Sequence, residues 1–320
     1  MASPIRTLHG ATAPDPEAVR DAPATGSGVL LTELLLLGMA VIWGVNFTVV
    51  KYATRVFAPD AFNVLRVALA AGALLLVARA TGRRWPVRAV TWRLLLLGTF
   101  GNGLYQLLFV AGVARTRASD AALVIAATPV FVAIIGRLRG TERLSRRGLV
   151  GVLLSVLGIA LVVLGGARVA RGEATLLGGA LVLGAALCWS TYTVFLQPLT
   201  DAVDGLTLAG ITMLGGVPPL LLAAAVPLAR TDWGAVPLTG WGAVLYSGLL
   251  SLTVAYVLWY RGLRVIGPTR TAMFGNLQPV IALLVAWAAL GETPRAPQLL
   301  GAVAIFGGLL LGRRAGATAA

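Results

Sequence analysis

Long apolar runs are the feature that most constrains this chain. The runs 29–50 and 176–196 each approach the roughly 20 apolar residues that a helix needs to cross a bilayer core about 30 Å thick. Hydrophobic residues make up 58% of the sequence and charged residues only 12%, and the mean hydropathy is +0.87. This composition argues against a soluble protein and predicts an all-α integral membrane protein.

An internal repeat is the second constraint. The stretch 112–158 recurs 150 positions later without a gap. Each copy is typical of an apolar helix with a central proline, a short turn with one glutamate, and a second apolar helix rich in glycine. Such self-similarity indicates a duplicated chain. The paired positions include Gly112 with Gly262, Pro129 with Pro279, Glu142 with Glu292 and Gly158 with Gly308.

The apolar runs predict ten transmembrane helices. The predicted spans lie near 29–50, 59–78, 94–113, 119–136, 148–165, 176–197, 206–228, 240–260, 269–290 and 298–312. We assign residues 1–28 to a disordered cytoplasmic tail, 29–165 to the first repeat, 176–312 to the second, and 313–320 to another cytoplasmic tail. An odd number of spans per repeat inserts the second copy upside down. The expected fold is therefore two inverted five-helix repeats around a site near the midplane, an architecture common among secondary transporters.

Basic residues predict the topology. The net charge of +14 would suggest nucleic acid in a soluble chain, but here the arginines lie in short connections between spans. Alternate connections hold about twice as many Lys and Arg on one side as on the other, which places the richer side in the cytoplasm. We expect both termini in the cytoplasm, a multi-pass protein of the bacterial cytoplasmic membrane, and no nucleic-acid partner.

Several short motifs resemble those of a known family. They are WGVNFTVVK at 43–51, Pro59 with Arg66, TPV at 128–130 with TERL at 141–144, and QPV at 278–280 with LGET at 290–293. Together they resemble the EamA-type branch of the drug/metabolite transporter superfamily over nearly all of 29–312. The resemblance implies a transporter without defining its substrate, because the superfamily includes amino-acid and metabolite exporters, drug extruders and importers. It also implies that an arginine is kept at position 66 across different substrates.

Polar and aromatic residues at helical spacing predict a lined cavity. Trp43 and Asn46 share one face of the first span, and Trp189 and Tyr192 do the same in the sixth. The alternatives are that aromatic rings anchor at the membrane interface and that amides bridge helices. The other candidate substrate-binding residues are Asn102, Tyr105, Gln106, Thr128, Tyr256, Asn276 and Gln278.

The remaining candidates are prolines and charged residues. Pro129 and Pro279 each remove a backbone donor within a span, which predicts a kink with a gating role or an ordinary packing kink. Arg66 is expected to hold a substrate carboxylate or to act structurally, and its helix is not an obvious cavity wall. Glu33 is a candidate for proton coupling, although an interfacial position also explains it. Glu292 is expected to cap the turn before the tenth span.

The scarcity of cysteine and histidine narrows the range of functions that this chain can have. The single Cys188 and the single His9 argue against a disulfide framework and a metal cluster. No set of residues suggests an enzyme or a cofactor site. We therefore predict a secondary transporter that exports small polar metabolites, amino acids foremost, by alternating access. The alternatives are a multidrug or cation extruder, a metabolite importer, and, remotely, a non-transporting scaffold.

The expected partners are a small-molecule substrate and the lipid bilayer. Helices five and ten of the prediction are also candidates for a homodimer surface. Gly151 with Ser155, and Gly308 with Gly312, are pairs of small residues four apart, and such pairs allow close helix packing.

Overall fold

The computed structural model describes residues 26–139, 146–170, 173–200, 203–266, 271 and 274–316. In these ranges the chain is helical apart from its connections and contains no strand. Most of the predicted N-terminal tail lies outside the described residues, as do Glu142 and residues 317–320 of the predicted C-terminal tail.

The first half of the chain forms seven described helices. A π-helical segment, Thr99–Leu104, joins the third of them to the fourth without interrupting the rod. The helices are α1 (Gly26–Val56), α2 (Pro59–Ala80), α3 (Arg88–Gly98), α4 (Tyr105–Arg115), α5 (Ala118–Ile125), α6 (Thr128–Leu138) and α7 (Arg146–Ala170).

The second half forms six described helices in a similar order. A second π-helical segment, Tyr246–Val254, joins α10 to α11. The helices are α8 (Glu173–Leu196), α9 (Gly205–Arg230), α10 (Leu238–Leu245), α11 (Ala255–Val265), α12 (Gln278–Leu290) and α13 (Ala296–Gly316).

Seven helical stretches of the described chain are long and apolar enough to cross a membrane. They are Gly28–Val56, Pro59–Ala80, Arg88–Arg115, Ala118–Leu138, Thr175–Leu199, Gly205–Arg230 and Leu238–Gly262. Three shorter apolar helices lie at Leu149–Gly165, Gln278–Leu290 and Ala296–Gly308. The predicted all-α membrane class is confirmed, while the count of ten spans stays a prediction.

Element boundaries recur at the period of the sequence repeat. The two π-helical segments end at Leu104 and Val254, and α6 and α12 begin at Thr128 and Gln278. Each pair is 150 positions apart. The same local sequence signals therefore produce the same local structure in both halves.

Packing between the halves is reciprocal. Helix α1 packs against α11 and α12, and its counterpart α8 packs against α4 and α6. The equivalent helices α2 and α9 contact each other, and so do α7 and α13. Reciprocity of this kind is what an approximate two-fold relation produces. The buried core is shared, since most helices of one half pack against the other half.

Two predicted spans are broken just before their prolines. The predicted helices 119–136 and 269–290 are interrupted by turns at residues 126–127 and 276–277. Pro129 then lies in the first turn of α6 and Pro279 in the first turn of α12. Proline suits the first turn of a helix because its missing N–H has no partner there in any case. The prolines thus restart helices, and their gating role stays a prediction.

Small residues hold α7 and α13 together. A Cβ added at Gly308 would collide with the Ser155 Oγ and with the Gly151 carbonyl oxygen, and one at Gly158 would meet the Gly301 carbonyl oxygen. The small-residue faces predicted for a dimer are therefore used within one chain. The outward faces of these helices carry exposed apolar side chains such as Leu157, and dimerisation through them stays a prediction.

We expect Gly308→Ala to lower the thermal stability of the purified protein. The added methyl group must push apart two helices in backbone contact, and overpacking of this kind costs about 1–3 kcal/mol. Gly72→Ala is the matched control, because no atom lies within 4 Å of its added Cβ. That control is expected to be neutral or stabilising, since alanine favours helix over glycine by up to about 1 kcal/mol. Equal melting temperatures for the two variants would contradict this packing argument.

Candidate functional site

A cavity of about 150 Å³ lies between the two halves. Most of the residues that the sequence singled out line it, and they come from α1, α2, α4, α6, α8, α11 and α12 together with the turn before α12. They are Trp43, Asn46, Arg66, Tyr105, Gln106, Thr128, Pro129, Trp189, Tyr256, Asn276, Gln278 and Pro279. The structure thus brings these side chains together, while their contact with a substrate stays a prediction.

Three predicted site residues do not line the cavity. Asn102 is buried behind Tyr256, whose hydroxyl lies 3.5 Å from the Asn102 Oδ1. The Tyr192 hydroxyl donates to the Thr212 Oγ1 at 3.2 Å, so this ring is turned toward α9. Glu33 is partly exposed near the start of α1. Spacing placed Asn102 and Tyr192 on the correct helices but did not reveal which neighbour each face meets.

Several lining residues were not predicted. Trp259 is the clearest omission, because it lies three positions after Tyr256 and the same spacing rule would have found it. The small apolar residues carried no distinguishing signal. The additional lining residues are Phe47, Phe109, Ala122, Ile125, Ala126, Ser251, Leu252, Trp259 and Gly275.

Arg66 is the charged group of the cavity wall. Its side chain is fully buried, and its Nε and Nη2 donate to the Asn63 Oδ1 at 3.2 and 3.1 Å. Nη2 also donates to the Gln106 Oε1 at 2.5 Å, and the Asn63 Nδ2 donates to the Gln106 carbonyl oxygen at 2.8 Å. The expectation that this helix is not a cavity wall was wrong. Asn63, one helical turn before Arg66, orients the guanidinium.

The partners of Arg66 are all neutral. The ion pairs among the described residues join Arg83 to Asp204 and Arg117 to Glu292, and neither involves Arg66. The guanidinium also lies 5.4 Å from the centre of the Phe62 ring and 5.8 Å from that of Phe109. A buried cation without a counter-charge costs on the order of several kcal/mol. Charge in such a position is retained for function more often than for stability.

A continuous aromatic wall, built from both halves, lines the same cavity as this guanidinium. The ring centres of Trp259 and Trp43 are 5.6 Å apart, and those of Trp43 and Tyr256 are 5.9 Å apart. Tyr256 is 5.8 Å from Trp189, which is 5.3 Å from Tyr105. Adjacent rings stabilise one another by about 0.5–1.5 kcal/mol per pair beyond their buried area. The wall therefore consists of ring faces and edges that stabilise one another.

The second π-helical segment positions α1 at the cavity. The Trp43 Nε1 donates to the Ser251 carbonyl oxygen at 2.9 Å, and the Ser247 Oγ is 2.7 Å from the Asn46 Oδ1. A π-turn shifts the register of the backbone hydrogen bonds and is frequent at functional sites. Asn46 thus bridges two helices through its oxygen, as the alternative interpretation expected, and also lines the cavity.

One end of the cavity is closed by apolar packing. The Phe47 and Phe109 rings meet edge to face, with centres 5.5 Å apart. Beyond them, Val50, Val113 and Ala286 are fully buried in one cluster. We call the surface beyond this layer, which holds Lys51, Arg55, Arg115, Arg117, Glu292 and Arg295, the Glu292 end.

Glu292 ties the two halves together at this end. Its carboxylate accepts from the backbone N–H groups of Ala118 and Ser119 at 3.0 and 3.2 Å, and from the Ser119 Oγ at 2.7 Å. The Arg117 Nε lies 3.6 Å from the same carboxylate. Glu292 therefore caps α5 of the opposite half, whereas the sequence suggested that it caps its own turn. We call these contacts the Glu292 latch.

A family match accounts for both halves. Residues 30–164 and 176–312 each match the EamA-like transporter family. The chain belongs to this family. The resemblance inferred from the motifs is confirmed. The two matched segments of this EamA-like transporter contain the cavity residues of both halves.

Relatives of this EamA-like transporter include named exporters. A probable amino-acid metabolite efflux pump of Salmonella typhimurium is 29% identical over 288 residues, covering 87% of this chain and 93% of that protein. A probable terminal-alkyne amino-acid exporter of Streptantibioticus cattleyicolor is 28% identical, with coverages of 86% and 91%. Others are named only as uncharacterized transporters. A solved crystal structure shares the fold at a TM-score of 0.61 and 18% identity, covering 88% of this chain and 96% of that one.

Proposed function

We propose that this EamA-like transporter exports small amino acids, or related metabolites that carry a carboxylate, across the bacterial cytoplasmic membrane. One observation carries the proposal: the fully buried Arg66, with only neutral partners, lies in the wall of a cavity built from both halves. The names of two relatives, both described as probable exporters of amino acids or their metabolites, support the same substrate class.

Arg66 supplies the specificity for a carboxylate. A guanidinium binds a carboxylate through two parallel N–H···O bonds, and such charge-assisted bonds are about twice as strong as neutral ones. The low dielectric around Arg66 strengthens the attraction further. Substrate binding would then compensate the buried charge, so that the cost of keeping Arg66 in the wall is recovered when the cavity is occupied.

The rest of the cavity suits a small zwitterion. Asn46, Asn276 and Gln278 offer amide oxygens and N–H groups, and the faces of Trp43 and Trp189 attract a cationic nitrogen. A cavity of about 150 Å³ accepts a molecule of roughly the size of benzene. In this conformation the cavity therefore fits small amino acids better than large drugs.

Alternating access is the mechanism that we propose. The apolar layer around Phe47 and Phe109, together with the Glu292 latch, would separate in the state that opens toward the Glu292 end. The helix breaks at residues 126–127 and 276–277 lie at matched positions in the halves and line or adjoin the cavity. They are therefore the proposed hinges. The reciprocal packing supports two inverted halves that exchange roles between the two states.

A cation extruder is the less favoured alternative. Among the residues that line the cavity, Arg66 is charged and none is acidic. A lipophilic cation would meet like charge without a counter-ion, which disfavours it. Glu33, the candidate for proton coupling, is not part of the lining, so a direct proton exchange at the cavity is not proposed.

Counterflow in proteoliposomes tests the proposed function. The purified protein is reconstituted, loaded with unlabelled compound and supplied with trace radiolabelled alanine, serine or valine; a lipophilic cation is the comparison. We expect accumulation of at least one amino acid and none of its amide analogue, which lacks the carboxylate. Equal accumulation of acid and amide, or of the cation alone, would overturn the assignment.

We expect the two ends of the repeats to face opposite sides of the membrane. In a Cys188→Ala background, which removes the single cysteine, Glu142→Cys should react with an impermeant maleimide only from the cytoplasm. Thr293→Cys, beside Glu292, should react only from outside. The reason is the odd number of spans per half and the excess of basic residues on one side. Labelling of both positions from the same side would end the inverted-repeat proposal.

We expect Trp43→Ala and Trp189→Ala each to reduce counterflow by about two- to thirtyfold while the protein still inserts and folds. Each change removes ring faces that the proposed substrate contacts, and aromatic contacts of this kind are worth about 0.5–2 kcal/mol each. Trp43→Phe is the matched control for the indole hydrogen bond to the Ser251 carbonyl oxygen. Full activity in both alanine variants would remove these rings from the site.

A further inference from the structure

A second pocket of about 360 Å³ lies at the Glu292 end, outside the central cavity. Its walls come from both halves of the chain. Five cationic side chains and one carboxylate line it: Lys51, Arg55, Arg115, Arg117, Arg295 and Glu292.

The charges of this pocket are not balanced by the described residues. Glu292 is the one acid of the lining, and its carboxylate is already used to cap α5. The nearby Asp120 is buried on α5 and interacts electrostatically with Arg117 and Arg295. Asp60, in the first turn of α2, interacts electrostatically with Arg115. With these three acids counted, the five cations remain in excess. Concentrated positive charge of this kind attracts an anion from solution or from lipid.

Two guanidinium groups carry unused donors. The Nη1 atoms of Arg117 and Arg295 are buried and have no hydrogen-bond acceptor among the described residues. A buried donor without an acceptor is costly, and such groups call for a partner. Of the other two nitrogens of Arg117, Nη2 donates to the Thr293 carbonyl oxygen at 2.7 Å and Nε lies 3.6 Å from the Glu292 carboxylate. An oxyanion in this pocket would supply the missing acceptors after a small rotation of either guanidinium.

Helices that are long and apolar enough to cross a membrane end at this pocket. Arg55 is in the last turn of α1 and Arg115 in the last turn of α4, while Arg117 directly precedes α5. Ends of membrane-spanning helices reach the headgroup region, which borders the hydrocarbon core. Basic pockets between such helices bind anionic headgroups. A phosphate group, with several acceptor oxygens, matches donors that arrive from several directions.

We propose that this pocket binds a phosphate oxyanion, and that its source is the headgroup of an anionic phospholipid. The bound phosphate bridges Arg117 of the first half and Arg295 of the second, the same halves that the Glu292 latch joins. Anionic lipid therefore stabilises the state closed at the Glu292 end. That consequence rests on the proposed alternating-access cycle, whereas the lipid site itself is independent of what the central cavity transports.

A thermal-shift titration of the full-length protein in neutral detergent tests the site. The probes are a short-chain phosphatidylglycerol, the matching phosphatidylcholine and inorganic phosphate. We expect phosphatidylglycerol to raise the Tm saturably by roughly 3–5 °C and phosphatidylcholine to have a much smaller effect. Arg55→Gln combined with Arg295→Gln should raise the half-saturating concentration about tenfold or more, because charge-assisted bonds are lost. Neither residue belongs to the central cavity.

The matched control is Arg84→Gln combined with Arg88→Gln, two exposed arginines outside the pocket. This variant loses the same charge and should respond as the unchanged protein does. If both double variants lost the response equally, the response would reflect general attraction between charges. That result would overturn the proposed binding site. A non-saturating response would overturn it too. A saturable response to inorganic phosphate, but not to phosphatidylglycerol, would keep the phosphate chemistry and overturn the lipid as its source.

Discussion

Arg66→Gln should reduce amino-acid counterflow by about ten- to a hundredfold, because a charge-assisted hydrogen bond to a carboxylate contributes about 1.5–3 kcal/mol. Glutamine keeps a side chain that can bond to Asn63 and Gln106, so the wall retains much of its shape. The loss should appear for substrates with a carboxylate. Counterflow at a series of substrate concentrations measures it.

Stability distinguishes a functional role for Arg66 from a structural one. The described neighbours of Arg66 include no carboxylate, so removing the cation abolishes an uncompensated desolvation cost. We expect Arg66→Gln to melt at or above the temperature of the unchanged protein. A large fall in Tm would mean that the guanidinium holds α2 to α4, as the structural alternative states.

Arg66→Lys is the matched control for charge alone. Lysine retains the cation but loses the planar fork that contacts Asn63 and a carboxylate together. We expect partial activity, with weakened apparent affinity. Wild-type affinity in Arg66→Lys would show that only the charge matters. Unchanged counterflow in Arg66→Gln would contradict the proposed carboxylate site.

In the Glu292→Gln variant, the population of the state that is open at the Glu292 end should rise about tenfold or more. The carboxylate bonds to two backbone N–H groups and a hydroxyl of the opposite half and lies beside Arg117. An amide keeps one acceptor oxygen but loses the charge, and charged hydrogen bonds are worth about 1.5–3 kcal/mol each. If a hydrogen bond exists only in the closed state, its loss changes the free-energy difference between the closed and open states by the whole free energy of that bond.

Accessibility of a buried position measures this shift. In the Cys188→Ala background, Ala122→Cys places a reporter in the cavity wall, at a position that is nearly fully buried. The rate of reaction with an impermeant maleimide added from the Glu292 end should rise in the Glu292→Gln variant. Asp232→Asn is the matched control, because among the described residues the Asp232 carboxylate accepts a local bond from the Gly234 N–H group and none from the opposite half. Equal rates in the two variants would contradict a latch.

The duplicated organisation and much of the cavity could be predicted from residue order. Hydropathy and periodicity are local properties, so the apolar runs indicated the helices, and spacing of three or four indicated which side chains share a face. The matched prolines marked the places where α6 and α12 begin. Family motifs pointed to Trp43, Asn46, Arg66 and Gln278, and each lines the cavity.

Rotation of each helix about its axis was not predictable from those signals. Asn102 and Tyr192 share faces with cavity residues, but they lie behind the wall because α9 packs against that side. The sequence suggested that the second helix stands apart from the cavity, yet Arg66 lies in the wall. How far a helix is turned depends on every neighbour at once, and most of those neighbours belong to the other half.

By itself, therefore, the sequence determined the helical membrane class, the duplication, the family and the chemistry available for a cavity. Only the tertiary structure decided that Arg66 is buried with neutral partners, that Glu292 caps a helix of the opposite half, and that the small residues of α7 and α13 face each other. The physical reason is that these contacts join residues far apart in the chain, such as Ala118 and Glu292. Local sequence patterns encode which side chains a helix presents, and packing of the whole chain selects what they meet.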